Sequence, residues 1–285
     1  MVRLLTVIGH GVNLLPHFIK HYKRYVDEIN IAIYKTDLYP TLEEDINEII
    51  KDHDNVKIVK VIEDRVFDWE KVTALYNFIK IKHPNDWWVI ADIDEFHLYP
   101  NDDINTLLSD CDEFGWEIVR GGFIDRIGHE GEFVELKDNV SIWEQFPNAG
   151  FFRYPMSKAC PNKICIVKGK IPVSSGQHYA VLDGETTWKW RGWNHPLIAP
   201  IYDYSVQVHH FKWDSTCIER IQSVVEVKEE YAYSNEYFKM FTELKKTRFK
   251  INLDIKEHMF ELGLTHPEFN RYKNWNKLIN KITSI

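Results

Sequence analysis

Asp92, Asp94 and Glu95 fall within four residues, directly behind the apolar run Trp87–Ala91. Carboxylates held this close raise one another's pKa and resist desolvation, so they need a counter-charge. A divalent cation would supply it. Asp92 and Asp94 alternate, and in an extended chain both side chains point at one site. The other reading is a solvated turn, or acids capping the segment that follows. Position at the carboxyl end of a buried strand favours the metal, because open α/β sheets bind ligands there.

The elements that must position these acids alternate along the first half of the chain. Arg3–Ile8 reads as a strand ended by Gly9 and Gly11. Asn13 is placed to cap a helix carrying Leu14, Leu15, Phe18, Tyr22 and Tyr25 at helical spacing. Ile29–Tyr34 is a second strand, followed by a helix from Thr41 to about Lys51. Val56–Ile62 alternates as a third strand, and Asp68 caps a helix burying Trp69, Val72, Leu75, Tyr76 and Ile79. Trp87–Ala91, apolar throughout, is the fourth strand and is expected to be covered on both faces. Such alternation predicts parallel strands joined by right-handed crossovers. Gly9–Asn13, Tyr34–Asp37, Glu63–Asp68 and Asp92–Glu95 then share one edge.

Between 115 and 215 the pattern changes to short strands (Glu117–Gly122, Lys163–Lys168, Ser205–Phe211) separated by loops rich in Gly, Pro, Trp and Asn. From Thr216 it is helical: Ile218, Ile221, Val224 and Val225, then Tyr237, Met240, Phe241 and Leu244, with a last short helix around Leu278 and Ile282.

Composition excludes several classes. With 35 Lys+Arg against 43 Asp+Glu the formal charge is −8, which does not suit a nucleic-acid binder. No apolar run approaches the ~20 residues of a membrane span, and the first residues lack a signal-peptide layout, so a soluble, cytoplasmic protein is expected. Cys111, Cys160, Cys165 and Cys217 are too scattered for a disulfide framework or a zinc knuckle, and read as reduced thiols.

The run WWVIADIDEF resembles the DxD motif of nucleotide-sugar glycosyltransferases of the GT-A fold. HGVNLLPHFIKHYKRYVDEINIAIY is similar to the opening unit of their family 2-like members. GGFIDRIG, SIWEQFP, NKICIVKG, SSGQHYAV and VHHFKW resemble, in that order, segments of a bacterial and viral branch, so that the likeness covers roughly residues 1–215. It implies an α/β fold, Rossmann-like, with a mixed, mostly parallel sheet flanked by helices. Residues 1–114 would bind the nucleotide sugar, 115–215 would form the acceptor side, and 216–285 would be a helical extension packed on them.

The resemblance also implies roles. Asp94 would ligate Mn²⁺ (or Mg²⁺), with Asp92 on the metal or the ribose. A metal so held stabilises the departing diphosphate as a Lewis acid. His210, sharing a strand face with Val206 and Val208, would complete the ligand set, whereas His209 would point the other way. His178 is the rival ligand or a diphosphate contact. Lys163 and Lys212 would neutralise phosphate charge, although by composition alone each reads as a solvated lysine. Gly9 admits close backbone approach, and Asp37 or Glu63 could accept from a uracil N–H in a UDP-linked donor. Gly9-x-Gly11 lacks the third glycine of a dinucleotide fingerprint.

An inverting transfer needs a carboxylate base. Asp125, Glu144, Asp183 and Glu185 are the candidates, with Glu144 favoured by its aromatic flanks. Family 2's usual Glu-Asp pair is absent, and Arg126 offers Asp125 an ordinary ion pair instead. Trp188, Trp190 and Trp193 could stack on an acceptor, a glycan or small molecule, or simply pack a loop. The expected activity is therefore metal-dependent glycosyl transfer. The alternatives are a catalytically silent glycan- or nucleotide-binding protein and a metal-dependent phosphohydrolase.

Overall fold

The computed structural model describes residues 1–151, 160–186, 195–226 and 234–254. These group into two compact units. The first takes 1–122, 162–186 and 195–208, and the second takes 123–151, 160–161, 209–226 and 234–254.

The first unit is an α/β sheet. Its strands are β1 (Val2–Ile8), β2 (Glu28–Lys35), β3 (Val56–Glu63), β4 (Trp87–Ile90), β5 (Glu95–Leu98), β6 (Ile118–Ile127), β8 (Asn162–Lys168) and β11 (Val206–His210). They lie in the order β3-β2-β1-β4-β8-β6-β11-β5. The pairs β1–β2, β2–β3 and β1–β4 are parallel, the 3-2-1-4 arrangement of a Rossmann-like half. From β8 onward the sheet is mixed, since β4–β8 and β8–β6 are antiparallel. The expected fold class holds. Leu4, Leu5 and Ile8 of β1, and all four residues of β4, are buried. The edge strand β3 departs from the strict alternation read from its sequence: its exposed residues are Lys57, Lys60 and Glu63, because the pairing with β2 skips Val59.

The crossover helices are set locally. α3 (Trp69–Lys80) begins at Asp68, whose carboxylate accepts from the backbone N–H groups of Glu70 and Lys71, and it buries Val72, Leu75, Tyr76 and Ile79. α2 (Leu42–Ile50) follows Thr41, but the Thr41 hydroxyl donates to the Asp45 carboxylate at 2.9 Å and does not cap a backbone N–H as expected. The first helix differs from expectation. Gly11, at φ +71°, turns the chain into a short 3-10 segment (Val12–Leu14), so Asn13 lies inside that turn and the N-cap position of the helix that follows falls on Leu14. α1 then runs Leu15–Tyr22, with Pro16 in its first turn where no N–H is needed, and ends before Tyr25.

Of the elements with no counterpart in the sequence pattern, one helix and one strand follow the acidic motif directly. α4 (Ile104–Phe114) is bracketed by Asp103, which accepts from Asn105 and Thr106, and by Gly115 at φ +73°. The other is β5, which begins at Glu95 itself.

β6 passes so close to β11 that a Cβ on Gly121 would lie 2.1 Å from the Val206 carbonyl oxygen and 2.8 Å from Cys165 Sγ. Gly121→Ala must push backbone apart, and a destabilisation of about 2–3 kcal/mol is expected in urea unfolding. A cost below ~0.5 kcal/mol would contradict this packing.

Lys80 is 1% exposed and donates to the carbonyl oxygens of Gly169 and Ile171, neutral acceptors that offer no counter-charge. Burial lowers its pKa from 10.5 to about 8. Between those values the unfolded chain holds a proton that the folded chain has released, so stability rises with pH through that window. The destabilising contribution is full below pH 8. Relative to Lys80→Met, the wild-type chain is therefore expected to gain about 3 kcal/mol between pH 7.5 and 10.5. Denaturant midpoints that keep a constant spacing across this range would overturn the assignment.

In the second unit, Ile127, Trp213, Cys217, Ile221, Met240, Leu244 and Ile251 form one core. α7 (Thr216–Glu226) and α8 (Ser234–Lys246) supply most of it. Asp214 accepts from the N–H of Cys217 and starts α7. The short helix α5 (Ile142–Gln145) and strand β7 (Asn148–Gly150), which pairs with Asp125–Ile127, complete the described part. The helix expected around Leu278 and Ile282 lies outside the described residues. All four cysteines are free thiols. No helix among the described residues is long and apolar enough to cross a membrane.

Candidate functional site

The acidic motif is a turn rather than an extended segment. β4 stops at Ile90, and the Glu95 N–H donates to the Asp92 carbonyl at 2.9 Å. Glu95 reaches back in turn, its Oε2 accepting from the Asp92 N–H at 3.1 Å. The alternation argument for Asp92 and Asp94 therefore fails. Asp92 and Glu95 are brought together by the turn, with Asp94 between them at 8% exposure.

The counter-charge is a lysine. The antiparallel register sets Trp87 opposite Lys168 and Val89 opposite Ile166; carried past the end of β4, it brings Lys163 level with Asp92. Lys163 Nζ lies 2.9 Å from Asp92 Oδ2 and 2.7 Å from Glu95 Oε1, and donates to Gln177 Oε1 at 2.9 Å. Three acceptors match the three donors of an ammonium. Burial alone would lower the pKa of Lys163, but the two carboxylates outweigh it and hold the value above the usual lysine range. At 1% exposure Lys163 is neither solvated nor presented to a phosphate, which corrects both roles offered for it. A lysine directly before the apolar run Ile164–Val167, at the start of a buried strand, was the available signal.

Asp92 is fixed from its other side. The Tyr76 hydroxyl donates to Asp92 Oδ1 at 2.9 Å, and accepts from the Val7 N–H at 3.2 Å. Sequence reading placed Tyr76 in the core, where its ring does lie, but gave no sign of this bond. Asp92 keeps 22% of its side chain exposed. Behind the turn, Tyr22 donates to the Glu95 carbonyl and accepts from the His97 N–H, holding β5. Burial drives the His21 pKa down to about 3, so that imidazole is neutral.

Other expected site residues of this unit occupy the loops after the strands. The space a Gly9 Cβ would need is filled by the Phe67 ring, 2.5 Å away, so the close approach that Gly9 permits is made by the protein itself. His10 lies near Phe67 and Tyr39, with ring centroids 5.9 and 6.5 Å apart, a set of rings that sequence reading missed. Asp37 is exposed. Glu63, 72% exposed, pairs with Lys35 at 3.0 Å. His178 is half-buried, its Nδ1 2.8 Å from the Asn162 carbonyl, and the Asn162 amide donates back to the His178 carbonyl. Asp183 and Glu185 lie at the turn of the hairpin β9 (Val181–Leu182) and β10 (Glu185–Thr186).

In the second unit, Asp125 is 5% exposed and its Oδ1 is reached by His210 Nδ1 and by the Trp213 indole N–H, each at 3.1 Å. His210 stacks near Phe123, while His209 is fully buried against Trp143. Arg126 bonds the carbonyl oxygens of Phe146 and Trp143 and lies over the Trp143 ring. Glu144 is exposed on α5. Lys212 sits over the rings of Trp213 and Tyr237, each 5.3 Å away. Trp188, Trp190 and Trp193 lie outside the described residues.

Could these residues hold a divalent cation? Between Asp92 and Glu95 they could not, because the Lys163 ammonium stands there. Among the described residues no three His, Cys, Asp or Glu side chains group as a metal cage. Asp94, 8% exposed, is the third carboxylate of the turn, and a single carboxylate suits an ion whose other ligands are diphosphate oxygens and water.

No family model and no curated protein sequence matches the chain. Solved structures with a similar chain path include the mannosyltransferase PcManGT from Pyrobaculum calidifontis in complex with GDP-Man and Mn²⁺. It is 11% identical, with TM-score 0.37 over 84% of this chain and 68% of that one. UTP-bound UGPase from Acinetobacter baumannii is 10% identical, with TM-score 0.32 over 88% and 100%. A putative glucose-1-phosphate thymidylyltransferase from Bacillus anthracis, in complex with a sucrose, is 11% identical, with TM-score 0.29 over 100% and 96%. At TM-scores below 0.5 such likeness bears on neither substrate nor chemistry.

Proposed function

We propose that the chain is a nucleotide-sugar-dependent glycosyltransferase, taking a UDP-linked donor with Mn²⁺ or Mg²⁺ and passing the sugar to a hydroxyl of a glycan or small acceptor. One observation carries this reading: an Asp-x-Asp-Glu turn at the carboxyl end of β4, in a parallel 3-2-1-4 sheet, with its first and last acids locked by a buried lysine. Under this reading Asp94, in the same turn, is the carboxylate that meets an ion arriving with the diphosphate. The bound metal would supply Lewis-acid stabilisation of the departing nucleoside diphosphate.

The remaining work falls to the chain's own side chains. Tyr76 and Lys163 fix the Asp92 carboxylate, whose exposed edge can accept from a ribose hydroxyl. The rings of His10, Tyr39 and Phe67 offer apolar faces to a base, and Asp37 or Glu63 can accept from a uracil N–H.

The test is calorimetric titration of UDP with Mn²⁺ present, repeated in EDTA, followed by product analysis with UDP-sugars. UDP binding that requires Mn²⁺, and release of UDP on adding acceptors, is the expected result. Binding without any turnover would favour a catalytically silent binder. Absence of UDP binding under both conditions would remove the UDP reading.

A further inference from the structure

Gln177 combines features that a purely structural residue has no reason to combine. It is fully buried, and its backbone is left-handed at φ +53°, directly after Gly176 at φ +68°. A non-glycine residue there carries a steric cost. Its side-chain orientation is dictated by Lys163. An ammonium has only donors, so the atom 2.9 Å from Nζ must be the amide oxygen. The amide nitrogen is then a fixed donor, and no acceptor reaches it among the described residues. A buried donor left in this state carries a further desolvation cost. Both costs fall on the one side chain that shares Lys163 with Asp92 and Glu95.

We infer that the Gln177 side-chain amide is a donor-sugar recognition group: Nε2 donates to an oxygen of the nucleotide sugar, on the hexose or on the diphosphate, and is satisfied only when that ligand is bound. The inference rests on the function proposed above and adds a specificity residue to it. Unlike the charged groups of the turn, Gln177 meets its ligand through a neutral donor held in one orientation. Its effect is to discriminate between ligands that place an acceptor oxygen there and ligands that do not.

Two substitutions separate recognition from support of Lys163. Gln177→Glu keeps the acceptor for Lys163 and removes the donor; Gln177→Met removes both. Affinities of the wild-type chain and both variants for UDP and for a panel of UDP-hexoses are measured at pH 8 with Mn²⁺, with thermal unfolding as the check on folding. Both variants are expected to lose about tenfold or more in affinity for the preferred UDP-hexose. If the partner is a hexose hydroxyl, UDP itself binds unchanged. If it is a diphosphate oxygen, UDP loses affinity in parallel. Gln177→Glu binding both ligands as the wild type does would overturn the inference, because only support of Lys163 would then matter. Failure of the wild-type chain to bind any nucleotide sugar is a different result; it would remove the proposed function and this inference with it.

Discussion

Asp94→Asn is expected to abolish the metal-dependent part of UDP binding, lowering affinity about a hundredfold or more and turnover with it. The reason is how the oxygens of the turn are committed. Both oxygens of Asp92 accept from Tyr76 and Lys163, and both oxygens of Glu95 from Lys163 and the Asp92 backbone. These acids hold the turn together, and the proposed function assigns the diphosphate-borne ion to the carboxylate of Asp94. Asparagine preserves its shape while removing the charge that draws a hard cation. Titration of UDP into this variant with Mn²⁺ should match titration of the wild-type chain in EDTA. Retention of the full Mn²⁺ effect would show that the ion is held elsewhere, and the proposed site would fall with it.

Lys163→Met is expected to be the most destabilising single change in the turn, by about 3–5 kcal/mol. Methionine fills similar space, so the loss is electrostatic. Glu95, 2% exposed, and Asp92 would face each other with no cation between them. Two buried carboxylates without a counter-charge repel each other most where both are ionised, so the deficit is expected to be largest at neutral and alkaline pH and to shrink on acidification. Urea unfolding at pH 5 and pH 8 measures this directly. Adding Glu95→Gln to Lys163→Met should recover part of the loss by removing one of the stranded charges. Equal stability of the wild type and Lys163→Met at pH 8 would contradict the buried ion cluster.

The two predictions read different parts of one arrangement. Lys163 reports on what keeps the acids together without a ligand, and Asp94 on what the acids do for one. A chain that lost stability with Lys163→Met but kept its nucleotide affinity with Asp94→Asn would have a structural turn and no donor site.

The sequence by itself determined the layered α/β plan. Apolar runs such as Trp87–Ala91 and Val56–Ile62 and the cap at Asp68 are local signals, and they correspond to β4, β3 and α3, although a skipped residue in β3 breaks its alternation. It also located the acids at a strand's carboxyl end. What it could not supply were the facts that depend on register. Lys163 lies 71 residues from Asp92, and only the antiparallel pairing of β4 with β8 makes them partners. The donor left over on Gln177 exists only because Lys163 fixes the amide's orientation. The turn at Ile93–Asp94 was hidden for the same reason. An Asp-x-Asp run reads as extended until the reach-back of Glu95 to the Asp92 N–H is seen. Local periodicity sets which residues form a strand or helix. Which charges meet is set by strand pairing across the sheet, and burial makes those meetings strong enough to decide the chemistry of the site.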